Sequence, residues 1–98
     1  AAPPGFPWVE ELVAVAWRHP NVYIGLTAVR PRYLAAQNSG YGALLAYGNS
    51  VLQDRVLWGS AWPMQPVQDA LDDVATLPLK DTVRAKWLGA NALRFLGL

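Results

Sequence analysis

Two short apolar runs constrain this chain more than anything else in it. Val22-Tyr23-Ile24-Gly25-Leu26 and Val56-Leu57-Trp58-Gly59-Ser60 are rich in β-branched and aromatic residues, the pattern of short buried strands. Helical periodicity lies before, between and after them, so the order reads helix, strand, helix, strand, helices. Such alternation implies parallel strands joined by crossovers. Parallel strands are normally covered on both faces and sit in larger sheets. Two are too few, and each edge needs a neighbour: missing strands from an upstream segment or another chain, or self-association.

The helical segments follow from spacing and punctuation. The opening Ala1-Ala2-Pro3-Pro4-Gly5-Phe6-Pro7 cannot be helix, because its prolines remove donors and push the residues before them toward extended geometry. Val9, Leu12, Val13 and Ala16 then fall at helical spacing, with Glu10 and Glu11 near the positive end and Arg18 and His19 near the negative end. This predicts a helix over 8–18, stopped by Pro20. The stretch 27–39 has no clean period and reads as a loop with a helical turn. A helix is expected over 41–47, closed by Gly48 and Asn49. Val67, Ala70, Leu71 and Val74 mark another, with Asp69, Asp72 and Asp73 on its wet side and Leu77-Pro78 at its end. Two further helices are expected, one opened by Asp81, Val83 and Trp87, the other carrying Ala92, Leu93, Phe95 and Leu96.

Composition narrows the partners. At 98 residues and 53% hydrophobic content the chain suits one unit with a buried core, 1–98. The net charge of +1 is spread out, so nucleic acid and anionic membranes are set aside as partners. No apolar run approaches the ~20 residues of a membrane span. Cysteine is absent, which removes thiolate nucleophiles, disulfides and Cys-type zinc sites, and the expected location is cytoplasmic. Ala1 in place of Met fits methionine removal, a cleaved leader or a chain that starts inside something longer.

The segment Phe6-Pro7-Trp8-Val9-Glu10-Glu11, followed by Ala14-Val15-Ala16-Trp17-Arg18-His19-Pro20-Asn21-Val22-Tyr23-Ile24, resembles the amidohydrolase family of metal-dependent hydrolases and aromatic-acid decarboxylases. Asp54-Arg55-Val56-Leu57-Trp58-Gly59-Ser60-Ala61-Trp62-Pro63 looks like that family's last barrel strand, and the stretch from Leu77-Pro78-Leu79 to Leu98 resembles its closing helices. The resemblance implies a C-terminal portion of a (β/α)8 barrel: α/β, helix-rich, with two short parallel strands, and incomplete as a barrel, for which ~250 residues is typical. It also implies a divalent metal such as zinc in complete members, whose early His-x-His pair and mid-barrel ligands would lie before Ala1. The active site of such barrels lies at the C-terminal ends of the strands.

Two positions depart from the family pattern. Where a Gly-Ser/Thr-Asp carboxylate ends the final strand as metal ligand and proton shuttle, this chain has Gly59-Ser60-Ala61, and a methyl group does neither job. Where His-x-Gly often precedes the Pro-Trp pair, it has Pro3-Pro4-Gly5. Ala61 alone would suit an inactivated variant, a subgroup working without that carboxylate or a degenerate paralogue; Pro3 as a second departure favours a natural lineage. No catalytic or metal residue is therefore assigned, and the expected cofactor content of this chain is none.

The remaining candidates are weaker. His19 reads as a cation at a helix end rather than a ligand. Trp8, Trp17 and Trp87 fall at positions that read as core. Trp62, directly after the second strand, is held with Ser60, Arg30 and Arg32 as lining a pocket, the arginines suiting a substrate carboxylate. The expected function is part of a metal-dependent hydrolase or decarboxylase acting on small organic acids, catalytically incomplete as written. The rival is a non-catalytic oligomerisation or binding module derived from such a barrel, motivated by the unpaired strand edges and apolar helix faces.

Overall fold

In the computed structural model, residues 8–27, 31–36, 39–59 and 66–97 are described. Helix α1 spans Val9–Arg18, strand β1 Ile24–Leu26, a 3-10 turn Pro31–Tyr33, helix α2 Gly42–Gly48 and strand β2 Val56–Trp58. Helix α3 covers Val67–Thr76, α4 Asp81–Ala85, a π-helical turn Lys86–Ala90 and α5 Asn91–Phe95. The chain is α/β, helix-rich, with two short parallel strands, as the alternation predicts. No helix among the described residues is long and apolar enough to cross a membrane.

Helix α1 has no side-chain cap at Trp8, and its ends are favoured instead by Glu10 and Glu11 in the first turn and Arg18 in the last. It stops where expected: His19, the residue before Pro20, is driven to φ −117°, ψ 103°. Its buried line is Val9, Val13 and Ala16. Strands β1 and β2 pair in the register Ile24↔Val56, Gly25↔Leu57 and Leu26↔Trp58. The Ile24 amide donates to Arg55 O at 2.8 Å before the ladder, and the Gly59 amide to Leu26 O at 3.1 Å after it.

Because successive strand residues point to opposite faces, Ile24, Leu26, Val56 and Trp58 share one face, and Gly25 and Leu57 the other. The first face carries the core, with Val9, Val13 and Ala16 of α1, Leu44 of α2, and Val83 and Trp87 buried in the same cluster. Gly48 shows how close the packing is. A Cβ there would lie 2.6 Å from the Trp87 ring and 3.5 Å from Val56 Cγ2, and the Trp87 indole donates to Gly48 O at 3.0 Å.

Three expectations are corrected. Trp87 is buried, but Trp8 is 65% and Trp17 56% exposed. Trp8 stands outside the helix as its N-cap, and Trp17 is one step of about 100° from the buried line. On α3 the buried residues are Ala70, Asp73 and Val74, while Val67 is exposed. Asp73 therefore leaves the solvated face it was assigned, because the inward line of α3 passes between positions 70, 73 and 74. Finally, the two separate C-terminal helices are one continuous helical run over 81–95, joined through the π turn. Val83, Trp87 and Asn91 are spaced by four, and all three are buried. The wider π turn keeps that spacing on one side, where regular α geometry would let it drift around the axis.

Candidate functional site at the strand ends

The two edges of the sheet differ in chemistry. At the N-terminal edge, Arg55 binds carbonyl oxygens 33 to 39 residues away: Nε donates to Val22 O at 2.7 Å, and Nη2 to His19 O at 2.6 Å and to Ala16 O. These acceptors lie at the end of α1 and in its link to β1. A guanidinium there meets the negative end of the helix and ties it to the start of β2. The same cation lies 5.7 Å from the centroid of Tyr23, whose ring meets Phe95 edge-on at 4.7 Å.

Beside it, Asn91 Nδ2 donates to Gln53 O at 2.8 Å and to Val56 O at 2.9 Å, and Arg94 Nη2 donates to Asn91 Oδ1 at 2.9 Å. Asp54 pairs with Lys86 at 2.8 Å and more loosely with Arg94 at 3.6 Å. The Lys86 hydrogen bond, aided by the charges of Lys86 and Arg94 and opposed by partial burial, holds the Asp54 carboxyl below its ordinary range. The C-terminal helical run is thus bound to the start of β2.

The C-terminal edge is where the family's chemistry is expected. Here β1 ends in a tight turn, with the Thr27 amide donating to Gly25 O at 3.1 Å, and β2 ends at Gly59. No ionisable side chain stands at Thr27 or Gly59. The Trp58 indole Nε1 is buried and has no hydrogen-bond partner among the described residues, a state that costs about 1–3 kcal/mol. Helices α1 and α2 both run back to the N-terminal edge, so their starts lie on this side. Between those starts is a depression of about 350 Å³ lined by Trp8, Glu10, Glu11 and Gly40. Among the described residues no group of three or more His, Asp or Glu side chains is arranged to hold a metal ion.

Arg32 sits exposed in the 3-10 turn, its Nη2 3.2 Å from the Tyr33 hydroxyl and its guanidinium 5.1 Å from the Tyr33 ring centroid. No hydrogen bond or ring contact among the described residues joins it to Thr27 or Gly59. Arg30, Ser60, Ala61 and Trp62 lie outside the described residues. His19 is exposed and offers its backbone carbonyl to Arg55. Sequence reasoning missed Arg55 and Asn91 as organising residues. The legible signals were a charged pair immediately before an apolar run and an Asn within an otherwise apolar helical stretch.

The amidohydrolase family model matches residues 1–98. No curated protein and no solved structure matches the chain. The match spans the whole chain, which therefore belongs to the amidohydrolase family.

Proposed function

We propose that this amidohydrolase-family chain supplies the last two β/α units of a (β/α)8 barrel of the metal-dependent hydrolase or decarboxylase type, and is catalytically incomplete as written. The observation that supports this reading most is the division of labour across the sheet. The polar networks that tie helices to strands gather at the N-terminal edge, the scaffold side of such barrels, while on the catalytic side the described strand ends, Thr27 and Gly59, carry no ionisable group.

The donor set does not fit a metal. A catalytic zinc takes three protein ligands from His, Asp, Glu or Cys. The position that carries the family carboxylate is Ala61, the only histidine stands at the opposite edge, and cysteine is absent. No proton transfer or metal-assisted step is assigned to these residues. Their role is to position: β1 and β2 give the strand ends, the Arg55 and Asn91 networks hold them, and Arg30 and Arg32 receive the carboxylate of a small organic acid through paired N–H donors.

The reading is tested by equilibrating the purified protein with zinc, removing free metal by dialysis and counting bound zinc per chain, with hydrolysis of an activated ester followed on the same sample. Far less than one zinc per chain and no turnover above buffer are expected. One tightly held zinc per chain would overturn catalytic incompleteness.

A further inference from the structure

The outward face of α1 has a polarity of its own. Val9, Val13 and Ala16 point into the core, so the opposite line, turned by about 180°, runs through Glu11, Ala14, Val15 and Arg18. All four are exposed, and no hydrogen bond or ion pair among the described residues engages Glu11 or Arg18. On the flank toward α2, the 56% exposed Trp17 meets the exposed Tyr47, their ring centroids 5.3 Å apart. A negative charge stands at one end of the line, a positive charge at the other, small and apolar residues lie between, and an aromatic pair borders it.

We infer that this face of α1 and α2 docks a second copy of the same chain, with the two α1 helices antiparallel about a twofold axis beside Ala14 and Val15. Only that arrangement is self-complementary. A twofold places Glu11 of each copy opposite Arg18 of the other, whereas a parallel arrangement opposes like charges. Glu11 and Arg18 are about 10 Å apart along the helix, so each ion pair falls about 5 Å from the axis. The small side chain of Ala14 at the centre allows the 8–10 Å approach of packed helices, which both long side chains span. The same operation keeps the α2 side of both copies together, so the two Trp17–Tyr47 pairs meet and lose their exposure to water. The surface is independent of any further strands, because α1 and α2 cover the face opposite Gly25 and Leu57.

The test is the solution mass of the purified chain by sedimentation over a concentration series. The wild type is expected to populate a species of twice the 10.7 kDa chain mass. R18E, which turns both ion pairs into like-charge contacts, is expected to weaken that species at least about tenfold, and the double swap E11R/R18E to restore it. Circular dichroism confirms that each variant is folded. Because the chain has no cysteine, A14C provides a second readout: on mild oxidation it is expected to form a disulfide-linked dimer, and A75C on the exposed side of α3 is not. A wild type that stays monomeric at every concentration, an R18E variant that associates as well as the wild type, or equal cross-linking of A14C and A75C would each overturn the proposal.

Discussion

The two edges of the β1–β2 pair are built from the same backbone and end in opposite ways. At the N-terminal edge, carbonyls of α1, of the α1–β1 link and of the turn before β2 are gathered by Arg55 and Asn91, with Asp54, Lys86 and Arg94 beside them. At the C-terminal edge, the ladder closes on a single backbone bond from Gly59 to Leu26, and the indole donor of Trp58 has no partner among the described residues. The contrast separates what holds a β/α unit together from what the unit presents. Charge placed where helices end and strands begin fixes the elements, whereas Thr27 and Gly59 at the opposite ends of the strands carry none.

The contrast can be broken most severely beneath the N-terminal edge. Replacing Trp87 by Ala removes a fully buried ring and orphans the Gly48 carbonyl, and is expected to cost about 4 kcal/mol in urea denaturation. Arg55→Ala comes next, at about 3 kcal/mol, because several carbonyls lose a charged donor together. Arg55→Lys is expected to recover little, since an ammonium cannot reproduce the planar fork.

A smaller effect tests the charges at the same edge. The Asp54 carboxyl is held low in the folded state, so its contribution is present above the unfolded carboxylate value and is lost as pH falls through the folded one. Its side chain is half exposed, and solvent screening keeps the contribution under about 1 kcal/mol. D54N is therefore expected to be slightly less stable than the wild type near neutrality and to converge with it in acid, as measured by denaturation at stepped pH. The smallest effect belongs to the other rim. Gly59→Ala places a Cβ 3.8 Å from Thr27 Oγ1, an ordinary contact, and is expected to change stability by no more than about 0.5 kcal/mol. At Gly48 the same substitution collides with the Trp87 ring.

The difference between the edges also accounts for what could be read from the sequence. Strand positions, their parallel sense and the limits of α1 were legible because they depend on period and on local stops such as Pro20. Both strands are shorter than the apolar runs, in part because the carbonyl of Val22 is taken by Arg55 rather than by the neighbouring strand. The inward line of α1 is legible from Val9, Val13 and Ala16, yet the position of Trp17 reads as core although it lies one residue beyond that line and is exposed. Asp73 errs in the opposite direction: the sequence groups it with Asp69 and Asp72 on the wet side of α3, while its place beside Ala70 and Val74 turns it inward. Arg55 could not be assigned a role because its acceptors are backbone atoms of residues 16–22, brought near only by the crossover. For the rim, the reading of Ala61 as the position of the family carboxylate, like those of Arg30, Ser60 and Trp62, is an expectation from the resemblance and falls on residues outside the described ones.

Hydrogen exchange under native conditions tests the asymmetry most directly. The amide of Ile24, bonded to Arg55 O at the N-terminal edge, is expected to exchange only through global unfolding, while those of Thr27 and Gly59 exchange through local opening, orders of magnitude faster. Equal protection at both edges, or faster exchange at Ile24, would contradict the claim that the scaffold is held at one edge and left free at the other.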